Sequence, residues 1–205
     1  MEDNINLNTL SVMFLGDSQV GKTSIIQSFL GNDYNENQMT TIGKECYNYL
    51  TEIKGYKVKF KIWDTAGQER FQAMSLRLVK SVEGIILVYS VENKESFKML
   101  NKWLEQIKDN TSLEKIPIII LGNKSDVDEN DRQITYEEGK EFSEEIKLHF
   151  YETSAKKGDN IKEAFNDIFE QIYLKNEDLI KGVDSKKNMI LRNQKGNNQK
   201  KKKWC

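Results

Sequence analysis

Short apolar runs alternate with longer amphipathic segments along most of this chain. Leu10–Leu15, Gly84–Ser90 and Ile116–Gly122 are almost continuously apolar, which is typical of strands covered on both faces. Four further segments have apolar residues at helical spacing: Lys22–Leu30, Ser96–Asp109, Tyr136–Lys147 and Ile161–Tyr173. The pattern therefore predicts strands and helices that alternate along the chain.

A hairpin interrupts this alternation. Cys46–Ile53 and Lys57–Trp63 flank a Lys-Gly-Tyr turn, and the second segment alternates lysines with apolar residues, as a half-buried strand does. Phe150–Thr153 adds a short strand. We therefore predict an α/β fold with a six-stranded, mostly parallel sheet, one antiparallel edge strand and helices on both faces. Ligands of such folds bind beyond the carboxyl ends of the strands.

Composition and charge divide the chain into a body and a tail. The chain has 205 residues, of which 38% are hydrophobic, enough for one domain with a core; we place it at residues 10–178, after an N-terminal extension at 1–9. Residues 179–205 are predicted to form a flexible basic tail, because positions 181–205 carry a net charge of +8 whereas the whole chain carries −1.

The same composition excludes several classes of protein. A nucleic-acid-binding protein would need basic and aromatic residues interleaved on an overall basic body, whereas this body is acidic and the basic run is confined to the tail, so nucleic-acid binding is not expected. Two cysteines far apart in the sequence argue against a disulfide framework and favour a reducing compartment. No apolar run approaches the length of about 18 residues that a spanning helix needs, so we expect a soluble cytosolic protein unless a modification attaches it to a membrane.

A glycine-rich segment joins the first strand to the first helix. In Gly16-Asp17-Ser18-Gln19-Val20-Gly21-Lys22-Thr23, backbone N–H groups turn toward one point at the positive end of a helix, as a phosphate-binding loop requires. Lys22 supplies a charge for the β- and γ-phosphates, and Thr23 supplies a hydroxyl for Mg²⁺. The alternative is an ordinary turn before a helix. The predicted nucleotide contacts here are Ser18, Gln19, Val20, Gly21, Lys22, Thr23 and Ser24.

Two later strand ends indicate which base is bound. In Asn123-Lys124-Ser125-Asp126, the Asp126 carboxylate can accept hydrogen bonds from guanine N1 and N2, a pair of donors that adenine lacks. Asn123 can hold the loop, and the Lys124 stem can cover the purine. Glu152–Lys156 follows the next strand, and the Ala155 N–H suits guanine O6. Each stretch alone also fits a polar loop or a helix cap, but the two together favour guanine. They add six predicted nucleotide contacts: Asn123, Lys124, Asp126, Ser154, Ala155 and Lys156.

The segment Trp63–Phe71 carries the candidate catalytic groups. Asp64 can reach Mg²⁺ through water, the Gly67 N–H can meet the γ-phosphate, and Gln68 can orient the attacking water. Thr41 is the candidate for a second hydroxyl on Mg²⁺. The predicted metal site is thus Thr23, Thr41 and Asp64, and the predicted catalytic set is Gln68, Lys22, Thr41 and Gly67.

These elements resemble the small GTPases of the Ras superfamily, and the forms Gly16–Ser24, Thr41–Gly43 and Trp63–Phe71 are most similar to Rab proteins. The resemblance implies a phosphate-loop NTPase fold, GTP and GDP as substrate and product, Mg²⁺, and a monomer that works in vesicle trafficking. It also implies effectors, an exchange factor and a GTPase-activating protein. Tyr34 takes the place of an aromatic residue that packs against guanine.

Some positions depart from the family pattern. Lys44–Cys46 and Leu78–Val82 replace the usual residues of the effector-facing surface, and the long Gln19 side chain can crowd the γ-phosphate or an incoming arginine. These departures leave open a hydrolysis-impaired scaffold that binds GTP constitutively. A phosphate-loop kinase would need substrate and lid segments, and it would leave Asn123–Asp126 unexplained.

The tail ends in Lys200–Lys203, Trp204 and Cys205. A lysine run also fits a solvated tail or a nuclear-import signal. By resemblance to Rab proteins, Cys205 is a candidate for prenylation. One lipid anchors only marginally, and the lysines would add attraction to an anionic leaflet. We therefore expect a peripheral protein on the cytosolic face of an endomembrane or the plasma membrane.

Overall fold

The computed structural model describes residues 9–35, 41, 44–65 and 78–182. The strands are β1 (Thr9–Leu15), β2 (Lys44–Ile53), β3 (Tyr56–Thr65), β4 (Gly84–Ser90), β5 (Ile118–Asn123) and β6 (His149–Thr153). The longer helices in these ranges are α1 (Lys22–Phe29), α2 (Lys94–Asn110), α3 (Tyr136–Glu145) and α4 (Ile161–Lys175).

The six strands form one sheet in the order β2-β3-β1-β4-β5-β6. β2 pairs antiparallel with β3 along its whole length, and the other neighbours pair in parallel. The predicted fold class, a mostly parallel six-stranded sheet with one antiparallel edge strand, is therefore confirmed.

Apolar residues on the two faces of the sheet form two cores. On one face, Phe14 packs with Phe165 of α4, and Ile25 of α1 is buried in the same cluster. On the other face, Leu15 of β1 belongs to a cluster that contains Trp103 of α2. Every residue of β4 is buried, because both faces of this central strand are covered.

The packed part of the chain continues beyond α4. Residues 177–182 are helical, and Ile180 is 1% exposed within the core of the α1 and α4 face. Packing against the core therefore extends past residue 178, where the sequence pattern placed the end of the domain.

Parallel strands bring several connections to one edge of the sheet. The segments that follow β1, β4, β5 and β6 all leave from carboxyl ends of adjacent, parallel strands. The last residues of β3 lie at the same edge, because β3 is also parallel to β1. All the described polar motifs of the sequence therefore lie at one edge of the sheet.

Candidate functional site

The segment from Gly16 to Gly21 forms a tight loop between β1 and α1. Gly16 has φ of 142°, and a Cβ there would lie 2.1 Å from the Val88 carbonyl oxygen of the neighbouring strand. Gly21 precedes the helix in a left-handed conformation, and a Cβ there would lie 2.2 Å from the side-chain amide nitrogen of Asn123. Both glycines are thus needed for close approach as well as for backbone conformation.

Lys22 lies beneath this loop. Its side chain is buried, and its ammonium donates to the carbonyl oxygens of Gly16 (2.8 Å) and Asp17 (2.7 Å). Burial lowers the pKa of Lys22 to about 8, against the opposing effects of Asp64 and Asp17. Within the described residues this buried cation is held by backbone carbonyls and the charges of Asp64 and Asp17, so an anionic ligand beside it would help to restore its ordinary pKa.

Three oxygens from separate segments meet beside α1. The Thr23 hydroxyl donates to Asp64 Oδ2 at 2.6 Å and lies 2.7 Å from the Thr41 hydroxyl, which itself lies 3.4 Å from Asp64 Oδ2. Asp64 is fully buried, and burial raises the pKa of its carboxyl, although the Thr23 bond and the Lys22 charge oppose that shift.

The same cluster has the chemistry of a magnesium site. Its donors are hydroxyl and carboxylate oxygens, which Mg²⁺ prefers. Asp64 Oδ1 is buried and has no hydrogen-bond partner among the residues that the structure describes. A buried carboxylate oxygen needs a compensating partner, so these residues fit a hard cation bound directly or through water.

Asn123 links the phosphate loop to the loops after β5 and β6. Its side-chain nitrogen donates to the Val20 carbonyl at 2.9 Å, and its side-chain oxygen accepts from the Ala155 N–H at 3.3 Å and from the Thr153 hydroxyl at 3.4 Å. Asn123 is 1% exposed, so water does not compete for these hydrogen bonds. Asn123 therefore holds the three loops together.

A cleft of about 240 Å³ opens beside Asn123. Asp126 lies in its wall, and one carboxylate oxygen accepts a 2.6 Å hydrogen bond from the Ser154 hydroxyl. Tyr34 lies in the wall too and is 43% exposed. Ten of the described residues line the cleft: Gly21, Ser24, Tyr34, Glu92, Asn123, Lys124, Asp126, Val127, Ala155 and Lys156.

Gln19 has an unusual backbone conformation in the phosphate loop. Its φ is 65°, a left-handed value that costs a residue with a Cβ more than it costs glycine, and its side chain is exposed. Ser18, beside it, is partly exposed. An exposed Gln19 side chain is compatible with the prediction that it obstructs the arginine supplied by a GTPase-activating protein.

Two supporting contacts were not predicted from the sequence. The Trp103 indole N–H of α2 donates to Asp17 Oδ1 at 3.0 Å, which fixes the phosphate loop from below. Arg132 binds the Glu152 carboxylate with both guanidinium ends, at 2.6 and 3.0 Å, and also donates to the Ser125 carbonyl at 3.4 Å. Trp103 and Asp17 are 86 positions apart and Arg132 and Glu152 are 20 apart, so no local motif indicates either pair.

Glu92 was also missed, although a signal for it exists. It lies two residues after β4, at the edge where the other motifs lie, and it forms an ion pair with Lys124. Gly67, Gln68 and Cys205 lie outside the described residues, so their predicted roles stay predictions.

Comparison with known proteins places this arrangement in a family. The model of the Ras family matches residues 11–174. The Ras-related protein Rab-13 of Rattus norvegicus is 37% identical over 175 residues, which is 85% of each chain, and Rab-15 of Bos taurus is 34% identical over 86% of this chain and 82% of its own. RABD2a of Arabidopsis thaliana is 40% identical over 75% of each chain.

Proposed function

Since this chain belongs to the Ras family and is a Rab-like GTP hydrolase, we propose that it is a switch whose GTP-bound form recruits effector proteins in vesicle transport. The observation that supports the proposal best is the contact network of Asn123. One side chain joins the phosphate loop, the Asp126 cleft and the Ala155 loop, so phosphate groups and guanine can be held together.

The phosphate groups would lie on the loop from Ser18 to Thr23, with the Lys22 ammonium beneath them. Thr23, Thr41 and Asp64 would hold Mg²⁺, whose positive charge offsets that of the phosphates when it is bound. The support is the close-packed oxygen cluster around the buried Asp64 carboxylate. Guanine would occupy the cleft, with Asp126 accepting its N1–H and N2–H groups. The Ala155 N–H, which donates to Asn123 Oδ1 at a long 3.3 Å, would be shared with guanine O6, and Ser24, Tyr34, Ser154 and Lys156 would complete the walls.

In this proposal, hydrolysis changes the conformation of two segments. Thr41 and the Gly67 N–H contact the γ-phosphate only while GTP is bound, and Gln68 orients the attacking water with their backbone groups. Loss of the γ-phosphate releases residues 32–45 and 67–80 to other conformations, which alters the surface offered to effectors. An exchange factor then restores GTP, and an activating protein supplies the arginine that accelerates hydrolysis.

A scaffold that stays permanently bound to GTP is not favoured. Its motivation was Gln19 together with the altered effector-facing segments, whereas the chain belongs to a family of GTP hydrolases and retains Gln68. The exposed Gln19 side chain would affect the rate of hydrolysis by crowding the γ-phosphate or the arginine of an activating protein, and neither effect removes the switch.

Replacing Gln68 with leucine tests the hydrolytic part of the proposal. We expect Gln68→Leu to slow single-turnover GTP hydrolysis about tenfold or more, because the attacking water loses the group that orients it. GTP affinity should change less than about twofold, since the side chain acts on water rather than on the nucleotide.

Gln171→Leu is a matched control, because that glutamine bonds Asp167 and His149 at the other end of β6. Its rate of hydrolysis should equal that of the wild type. An unchanged rate in Gln68→Leu would remove the proposed role of Gln68.

Attachment to a membrane would depend on the tail. No helix in the described part of the chain is long and apolar enough to cross a bilayer. We propose that a prenyl group on Cys205, together with Lys200–Lys203, holds the protein peripherally on a cytosolic membrane face. The support is family membership and the lysine run, since one lipid and a basic segment together meet the two-signal requirement for stable anchoring.

Mass spectrometry of the protein from its own cells tests this attachment. We expect a prenyl adduct on Cys205 and recovery in the membrane fraction, with Cys205→Ser moving to the soluble fraction. Cys46→Ser is the control, because this exposed cysteine lies on β2 and should not affect fractionation. An unmodified Cys205 in a soluble protein would contradict the proposal.

A further inference from the structure

Glu92 and Lys124 form an ion pair in the wall of the cleft proposed for guanine. Glu92 follows β4, Lys124 follows β5, and the Lys124 ammonium is bound to Glu92 Oε1. Their side chains are 36% and 32% exposed, so water screens the pair only in part. Both residues line the cleft in which the base would bind.

Of the two described carboxylates in the cleft wall, Glu92 rather than Asp126 is the one that binds the Lys124 ammonium. Lys124 has a left-handed φ of 67° just after β5, and its ammonium is held at Glu92 by the ion pair. Its long stem has several rotatable bonds, and without a partner the ammonium would sample many positions. The other carboxylate in the cleft wall, Asp126, is bound to the Ser154 hydroxyl and faces the expected guanine N–H groups.

We propose that Glu92 is a positioning residue for the nucleotide. By holding the Lys124 ammonium, it keeps the lysine stem along the cleft wall, where the stem covers the purine face and slows nucleotide release. This inference rests on the proposed guanine site. It gives the ion pair a kinetic role in a place where an ordinary surface pair would contribute little to stability.

Glu92→Gln is the direct test, with Glu95→Gln as its matched control. Glu95 also binds a lysine, Lys98, at 2.7 Å, but this pair lies on the exposed side of α2. We expect Glu92→Gln to release fluorescent GDP about three- to tenfold faster in low salt, because the ammonium loses a charged partner. High salt should shrink that difference. Glu95→Gln should match the wild type.

A double-mutant cycle separates positioning from a general loss of structure. Once Lys124 is alanine, Glu92→Gln should have no further effect on GDP release. The inference is overturned if Glu92→Gln releases GDP at the wild-type rate or more slowly, or if it speeds release equally with and without Lys124. Failure of the wild-type protein to bind GDP at all would instead refute the proposed function.

Discussion

Replacing Asp126 with asparagine should lower the affinity for GTP about a thousandfold. A carboxylate accepts both the N1–H and the N2–H of guanine, whereas an asparagine amide presents a donor nitrogen to one of these donors. Leaving a buried N–H donor without an acceptor costs more binding free energy than a normal hydrogen bond contributes. A site of this kind therefore discriminates strongly between a matching base and a mismatched one. Ser154 makes the mismatch worse, because it already donates to Asp126 Oδ1 at 2.6 Å and keeps the side chain in this orientation.

The same variant should gain affinity for xanthosine triphosphate. Xanthine has a carbonyl oxygen where guanine has its 2-amino group, so its edge offers one donor and one acceptor, which an amide can match. Competition binding with GTP and xanthosine triphosphate measures both changes in one experiment. Asp128→Asn is the control, since Asp128 is exposed, lies outside the cleft and should leave both affinities unchanged. Equal losses for the two nucleotides would show that Asp126 supports the fold and does not read the base.

Much of the fold could be predicted because its signals are local. β4 has the bounds that its apolar run indicates, Gly84–Ser90. Strand alternation and the hairpin were enough to predict the sheet and its antiparallel edge. The polar motifs at strand ends were also informative, because parallel strands bring their carboxyl ends to the same edge whichever strands are neighbours.

Element boundaries differed from the sequence pattern where backbone chemistry decides them. β5 begins at Ile118 rather than at Ile116, because Pro117 lacks the N–H of a ladder residue and contributes only its carbonyl, to Ile85. α3 ends at Glu145, two residues before the predicted end, since Lys147 has a left-handed φ of 57° that a helix cannot accommodate. β3 extends to Thr65 because it pairs with Lys44 of β2.

The supporting contacts of the site could not be predicted, because they depend on which strands become neighbours. Lys124 meets Glu92 because β4 lies beside β5, an order that hydrophobic periodicity does not reveal. Trp103 and Asp17 are 86 positions apart, and either residue alone fits an ordinary role in a helix face or a loop. Motifs indicate the groups that are expected to touch the nucleotide, whereas the groups that hold those motifs in place emerge only from the packed structure.

Replacing Asp64 with asparagine should abolish the effect of Mg²⁺ on nucleotide release. In the wild type we expect chelation by EDTA to speed GDP release about tenfold to a hundredfold, since Mg²⁺ held by Thr23, Thr41 and Asp64 would offset the charge of the phosphates when bound. Asp64 supplies the only carboxylate of the described Thr23–Thr41–Asp64 cluster. Without that charge the hydroxyls bind the cation weakly, so release from Asp64→Asn in Mg²⁺ should equal release from the wild type in EDTA.

The stability of the nucleotide-free protein distinguishes a lost metal site from a damaged fold. Asp64 is buried, with Oδ1 unpartnered among the described residues, so a neutral amide of the same shape removes one buried charge. Burial disfavours the Asp64 charge whereas Lys22 and the Thr23 hydrogen bond favour it, and asparagine keeps an acceptor for the Thr23 hydroxyl, so the unfolding temperature of Asp64→Asn in EDTA should stay close to that of the wild type. Asp109→Asn, at an exposed position of α2, should leave both measurements unchanged. If EDTA still speeds GDP release from Asp64→Asn as much as from the wild type, Asp64 does not hold the metal and the cluster is a structural hydrogen-bond network.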